Sequence, residues 1–403
     1  MAGDGYAGKI LEIDLTNQKA AWNPLPDGYR RQNVSGKALA VQLLRDHTTG
    51  AEKAFSEGNP LILATALLTG TGAPGSNRFD LAALSPKDDL PAFSNCGGNL
   101  GRLLKKAGCD ALLIKGKAPY PQWIEITDRK VEFRDARFLW GLGTGQCREQ
   151  LSRNRDAASL CIGPAGENLV KSAALLADGH STGRAGLGAV LGWKNLKAIT
   201  VSGSEEISFR DPEKLAENND LWHAKLQERN RKPFSEGRCP ECPLHCSKHH
   251  RQENPLLEDL GLDAVAAEAA YIWAAEQGLV TENLYEQLAL GTDLGRQLVE
   301  VPHRTKSKAG KRRDASRGQI ASAFSLPPEA EETAVFCANF AEAVSVCGQC
   351  LFTVKALEPG NAEMFLVRAL ECVTGQSWNL ERLISLGACS RNLEKQLKKR
   401  FQK

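Results

Sequence analysis

A chain of 403 residues with 42% hydrophobic and 25% charged side chains has core enough for two or three domains and is not composed like a disordered protein. Its 51 Lys and Arg stand against 48 Asp and Glu, a net charge of +3, so no global basic field argues for nucleic acid. No apolar run approaches the roughly 18 residues of a membrane span, and Met1 to Tyr6 lacks both the basic and the apolar stretch of a secretion signal. The expected location is therefore cytoplasmic. In that reducing compartment the 12 cysteines point to metal more than to disulfides.

Up to about residue 207, short apolar runs alternate with glycine-rich turns. Leu11, Ile13 and Leu15 alternate with polar residues as a half-buried strand does. Further strands are predicted at 60–68, 111–115, around Ile124 and Ile126, around Val131 and Phe133, at 158–162, at 172–177 and at 196–202. Helices are predicted at 100–107 and 186–193. Beyond residue 208 the pattern turns helical. Asp211 before Pro212 reads as an N-cap. Leu262, Val265, Ala266, Ala269, Ile272 and Trp273 recur at helical spacing, with Gly278 as a C-cap. Thr281 caps the next predicted helix, which carries Leu284, Leu288 and Leu290. Two more apolar stripes follow: Phe365, Leu366, Ala369, Leu370 and Val373, then Leu383, Ile384, Leu386, Leu393 and Leu397. The expected fold class is α+β: an N-terminal mixed α/β domain followed by all-α domains. The expected division is 1–207, a helical domain at 208–302, a basic linker at 303–327 and a C-terminal helical domain at 328–403. Residues 303–317 carry seven Lys or Arg against one Asp, a pattern that most often marks a solvated loop.

Chemistry concentrates at Cys239-Pro-Glu-Cys242-Pro-Leu-His-Cys246. Three thiols at x2 and x3 spacing converge only if the loop folds around a common centre. An iron–sulfur cluster needs a fourth thiolate, from Cys347 or Cys350. Zinc competes, because His245, His249 and His250 could complete a Cys3His site; incidental reduced thiols are the third reading. Glycine-rich loops at 68–78, 94–101, 163–168 and 179–188 suit close approach of backbone N–H groups to phosphate. Two of them carry Arg78 and Arg184 as fixed charges. No loop has the P-loop lysine pattern, and no dinucleotide fingerprint follows a strand.

The segments GYAGKILEIDLT, LTGTGAPGSNRFD, SNCGGNLGRLLKKAGCDALLIKGKA, CIGPAGENLV and GRAGLGAVLGWKNLKAI resemble the aldehyde ferredoxin oxidoreductase family, as do residues 239–246, 260–263, 348–353 and 365–396. The resemblance implies N-terminal sheets that form a cofactor-binding base, reduced all-α domains after it, a tungsten or molybdenum bis-pterin, a Mg2+ ion bridging the pterin phosphates and a [4Fe-4S] cluster. It implies oxidation of a small aldehyde to a carboxylic acid, with electrons leaving to ferredoxin or a ferredoxin-like subunit; a homodimer is a candidate assembly. Cluster ligands then fall on Cys239, Cys242, Cys246 and Cys350. Pterin, phosphate and magnesium contacts fall on Arg78, Asn95, Gly97, Gly98, Arg184 and Ala185.

Of the family's two pterin-gripping motifs, the first reads Glu258-Asp-Leu-Gly-Leu-Asp263, which assigns Glu258 and Asp263. The second reads Ser345-Val-Cys-Gly-Gln-Cys350, without the family's Asp and Leu. Only 16 residues separate Cys246 from Asp263 and 86 separate Asp263 from Cys350, both shorter than in the family. The missing stretches carry the residues that face substrate, so no catalytic residue is assigned. The competing expectation is a shortened, non-catalytic cluster-binding or electron-transfer protein.

Overall fold

The computed structural model describes residues 3–151, 156–183, 185–229, 239, 241–244, 255–277, 279–281, 283–295, 320, 321, 324, 327, 331–357 and 360–402. The alternation read in the first strand is physical: in β1 (Lys9–Asp14), Leu11 and Ile13 face one core and Ile10 another. β1 pairs with β2 (Lys19–Pro24), and β3 (Leu61–Thr65), β4 (Phe79–Leu84), β5 (Pro91–Cys96) and β6 (Ala111–Lys115) complete a mixed sheet in the order β2-β1-β6-β3-β4-β5. Leu61 and Leu63 look inward, while Ile62 and Ala64 look outward. A second mixed sheet has the order β11-β10-β9-β12-β7-β8. Its strands are β7 (Gln122–Thr127), β8 (Lys130–Asp135), β9 (Ala158–Cys161), β10 (Leu176–Ala177), β11 (His180–Ser181) and β12 (Leu196–Ser202).

The helices, in chain order, are α1 (Asp27–Arg31), α2 (Gly36–Asp46), α3 (Leu100–Lys106), α4 (Thr144–Leu151), α5 (Pro164–Glu167), α6 (Leu187–Trp193), α7 (Pro212–Arg229), α8 (Pro255–Asp259), α9 (Ala264–Glu276), α10 (Leu284–Leu290), α11 (Glu331–Val346), α12 (Leu351–Lys355), α13 (Asn361–Thr374) and α14 (Leu380–Arg400). One core joins the inner faces of both sheets through Leu100, Leu103 and Leu104 of α3 and Leu187, Val190 and Leu191 of α6. The outer face of the first sheet is covered by Leu39, Val41 and Leu44 of α2 and by Leu397 of α14. A separate helical core gathers Leu215, Trp222 and Leu226 of α7 with Phe365, Leu366, Leu370 and Leu383, and Trp222 stacks on Phe365 at 5.6 Å. The fold is thus α+β, two mixed sheets in the first half and a largely helical second half. Among the described residues, no helix is long and apolar enough to cross a membrane.

Three departures from the sequence reading have physical causes. β4 and β5 were not foreseen, because the buried Asp80 interrupts the apolar run of the first and the second is mostly half-buried and carries Ser94 and Asn95. In α9 the buried face is Ala267, Ala270 and Ala274, whereas Ile272 is 50% exposed. The small alanines allow close packing on Ala165, Ala173 and Ala189; Tyr271 and Ile272 point away, and Trp273 packs against the edge of this core. In α10 the N-cap position is Asn283; Thr281 instead accepts a bond from Gln287 Nε2 through its hydroxyl, at 3.2 Å. Gly278 and the 303–317 run lie outside the described residues.

Candidate functional site

The antiparallel register of β4 and β5 sets Asp80 opposite Asn95 and Phe79 opposite Cys96, with Arg78 at the mouth of the pair. Arg78 is the hub. Its Nε donates to Asn95 Oδ1, its Nη2 to Asn95 O at 3.2 Å, and its Nη1 lies 3.9 Å from Cys350 Sγ. Cys350 reaches this point because its N–H donates to Gly75 O at 3.1 Å, docking residues 346–353 on the first glycine-rich loop. Gly75 has φ +76°, and a Cβ on it would lie 2.9 Å from Cys350 Cβ.

Cys239 arrives from the other side. A Cβ on Gly97 would lie 3.1 Å from Cys239 Sγ and 3.4 Å from Arg78 Nη1, so the glycine leaves room for sulfur and guanidinium together. Gly98, at φ +92°, is hemmed by His180 Cδ2 at 3.2 Å and Asp178 Oδ2 at 3.3 Å in the same sense. The Cys239 thiol lies 3.9 Å from His180 Nε2. Burial alone would raise its pKa. The His180 hydrogen bond and charge, helped by the Gly98 N–H and Arg78, outweigh burial and hold it below the usual thiol value. Burial also works against the Arg78 charge, but the Cys350 and Cys239 sulfurs and Asp80 keep its pKa above the ordinary one. The glycine-rich loops thus gather two thiols of the cluster motif, Cys239 and Cys350, around one guanidinium.

The other cysteines separate by environment. Cys347 is fully buried in the helical core and pushed up to about 12 by that burial. Cys350, three residues on, faces Arg78. Cys96 is likewise pushed up to about 12 by burial, and its thiol donates to His180 O at 3.5 Å. Cys242 N–H donates to Cys239 O at 3.4 Å, and its thiol lies 3.9 Å from Leu244 O. Cys246, His245, His249, His250 and Arg184 lie outside the described residues. Among the described residues, no group of three or more His, Cys, Asp or Glu is arranged to hold a metal ion.

The remaining assigned residues have protein partners. Asn95 Nδ2 donates to Asp80 Oδ1 at 2.9 Å while its Oδ1 accepts from Arg78, so both ends of the amide are engaged. Ala185 O accepts from Ser85 Oγ at 2.9 Å. Glu258 O accepts from Thr144 Oγ1 at 2.9 Å. Asp263, 5% exposed, caps α9 by accepting from Ala266 N at 2.9 Å, and its own N–H donates to Ser172 O. The loop from Glu258 to Asp263 is pinned to α5 through Ala165 N–H to Leu260 O and to the segment before β10 through Ala174 N–H to Gly261 O. Gly261, at φ +70°, presses on Gly163. Glu258 and Asp259 line a cleft of about 290 Å³, with Thr144, Arg148, Asp178 and Gly179 opposite. Asp178 and Gly179 lead directly to His180, so the cleft adjoins the Arg78 hub.

Sequence reasoning missed Asp80 and His180. Asp80 is 1% exposed and accepts from Asn95 and, at 3.2 Å, from Ser345 Oγ, while its Oδ2 has no partner among the described residues. Burial pushes its carboxyl up to about 7, against the pull of Asn95 and Lys37. Ser345 stands where the second motif's Asp is missing, which puts a hydroxyl beside Asp80 rather than a second carboxylate. Gln349 replaces the motif's Leu and is equally buried, donating to Pro74 O at 2.5 Å and to Thr353 Oγ1 at 2.7 Å. Neither Asp80 nor His180 carries a spacing signal; only their place beside the loops could have drawn attention.

Comparison with known proteins adds the following. Residues 10–203 match the family described as "Aldehyde ferredoxin oxidoreductase, N-terminal domain". A tungsten-containing aldehyde ferredoxin oxidoreductase of Pyrococcus abyssi is 35% identical over 241 residues, 59% of this chain and 39% of that protein. The enzyme of the same name from Pyrococcus furiosus is 36% identical over 215 residues, 52% of this chain and 36% of that protein. A Pyrococcus furiosus aliphatic sulfonate oxidoreductase, WOR-like subunit, is 32% identical over 230 residues. The match therefore spans well under half the length of these curated relatives. Among solved structures, the active site complex BamBC of benzoyl coenzyme A reductase, in complex with 1,5-dienoyl-CoA, aligns with TM-score 0.81 at 18% identity. That alignment covers 100% of this chain and 90% of the other, a likeness of fold.

Proposed function

Because its residues 10–203 make this chain a member of the aldehyde ferredoxin oxidoreductase family through that family's N-terminal domain, we propose that it is an oxidoreductase converting an aldehyde to a carboxylic acid. The observation that carries the proposal is the convergence of Cys239 and Cys350, from segments far apart in sequence, on the Arg78 guanidinium. The donors suit the group: soft thiols, one of them held below its usual pKa, with N–H and guanidinium charge close by. Cys239, Cys242, Cys246 and Cys350 would hold a [4Fe-4S] cluster. Arg78, Asn95, Gly97, Gly98, Arg184, Ala185, Glu258 and Asp263 would border a bis-pterin and its Mg2+. The tungsten-containing relatives make tungsten the first choice of metal and molybdenum the second. When bound, the metal–pterin centre supplies a two-electron acceptor and the cluster a one-electron exit toward ferredoxin.

The chain's own residues do the positioning. Arg78 offsets thiolate charge and fixes the Asn95 backbone. Gly97 and Gly98 let backbone and sulfur approach without a Cβ between them. The Asp263 N–H bond to Ser172 O and the Gly163–Gly261 contact lock the 258–263 loop against the start of α5 and the segment before β10, and the Asp263 side chain caps α9.

The electron-transfer reading, a cluster protein without a substrate pocket, draws on one observation. The first motif's two aspartates are engaged by the chain itself: Asp259 Oδ1 accepts from Gly145 N at 2.9 Å and Asp263 caps α9. Anaerobic assay of aldehyde-dependent viologen reduction separates the two. Dye reduction that is lost in Cys350→Ser supports the oxidoreductase. A cluster-loaded protein that reduces dye with no aldehyde in a broad panel overturns it in favour of electron transfer.

A further inference from the structure

His180 is the one histidine that the described site brings to a thiol of the cluster motif, and no family motif assigns it. Its ring is held from several sides. Its residue pairs with Ala177 across the β10–β11 turn, in which Asp178 and Gly179 both have positive φ. Its carbonyl accepts from the Cys96 thiol at 3.5 Å. Its Cδ2 would lie 3.2 Å from a Cβ on Gly98, so the ring rests against bare backbone. Asp178, next but one, is pinned by Ser159 N–H at 2.9 Å and Asn99 N–H at 3.0 Å, which fixes the turn that aims the ring. Nε2 then lies 3.9 Å from Cys239 Sγ.

Resting on the cluster reading above, we propose that His180 is a positioning residue that donates its Nε2–H to the Cys239 sulfur and thereby raises the reduction potential of the cluster held there. A metal-bound thiolate can only accept, so Nε2 carries the proton in this contact. Reduction adds negative charge that spreads onto the ligand sulfurs. A donor aimed at one of them stabilises the reduced state more than the oxidised one. His180 thus makes the cluster a readier acceptor for electrons leaving the metal–pterin side. Arg78, 3.9 Å from Cys350 Sγ, does the same as a permanent charge, whereas His180 does it through one directed bond.

The test is an EPR-monitored redox titration of anaerobically purified protein. It compares wild type with His180→Phe, which keeps a ring and removes the donor, and with His180→Gln, which restores an N–H. We expect His180→Phe to shift the oxidised-to-reduced ratio at fixed potential three- to tenfold toward oxidised, tenfold being about 59 mV for a one-electron couple. His180→Gln should recover at least half of that shift. Unchanged midpoints in both variants, with iron content equal to wild type, overturn the proposal. If His180→Phe fails to load iron, His180→Leu against His180→Gln makes the same comparison, and equal midpoints there also overturn it. Wild type that binds no iron overturns the cluster reading itself, a result plainly different from a loaded cluster that is indifferent to residue 180.

Discussion

Lys197→Met should unfold the second sheet's support more than any surface change. Lys197 Nζ pairs with Glu167 and donates to Leu142 O at 2.8 Å, and the two side chains are 0% and 4% exposed. Glu167 Oε2 also accepts from Gly141 N–H at 2.8 Å. The pair therefore ties β12, α5 and the turn before α4 together behind the Gly163 loop. Removing the lysine leaves a buried carboxylate whose one donor among the described residues is the Gly141 N–H, a change that typically costs about 3–5 kcal/mol. The Gly141 bond argues for the low end, and the orphaned Leu142 carbonyl adds about 1 kcal/mol. The sum is about 4 kcal/mol, on the order of 5 °C in Tm for a chain of this length. Urea melts followed by circular dichroism read it, with Glu167→Gln and the double variant closing a thermodynamic cycle. The double variant should recover most of the loss, with a coupling of at least about 2 kcal/mol. A single-variant loss below about 1 kcal/mol, or a coupling near zero, would refute the reasoning.

Four further outcomes are expected. Asp80, with its pKa pushed up to about 7 by burial, keeps its proton when folded at pH values where the unfolded chain has released it. Stability should therefore fall as pH rises from about 4 to about 7, and Asp80→Asn should flatten that slope in pH-dependent melts. Lys194, pushed down to about 7 by burial, has the opposite signature: stability rises from about pH 7 to about 10, and Lys194→Met should abolish the rise. Gly97→Ala should cut bound iron at least severalfold in metal analysis while Tm stays within a few degrees, because its Cβ meets Cys239 Sγ at 3.1 Å. Cys350→Ser should lose iron with the fold retained, whereas Cys347→Ser should keep iron and lose about 1–3 kcal/mol in urea melts, a polar group having entered the core.

How much could be read beforehand depends on what each element buries. β6 and β12 were legible because compact apolar runs bounded by glycine or polar residues read as strands, and both were placed to the residue. β4 was hidden by the buried Asp80 and the two alanines that break its apolar run, and α9 was given the wrong face because alanine carries little hydropathy yet permits the closest packing. At the site, the glycine-rich loops and the cysteine spacing were visible because that chemistry needs those residue types in short order. Asp80 and His180 were not, since each matters only through a cross-strand register or a turn that brings it to Asn95 or Cys239. Cys350 and Cys347 look alike in sequence; one turn of chain sends one thiol to Arg78 and the other into the helical core.

The most direct measurement is elemental analysis of protein purified anaerobically from cells supplied with iron, zinc, molybdate and tungstate. The account predicts about four iron atoms per chain, the content of one [4Fe-4S] cluster, together with tungsten or molybdenum. Zinc in place of iron, or no metal above background, would contradict it.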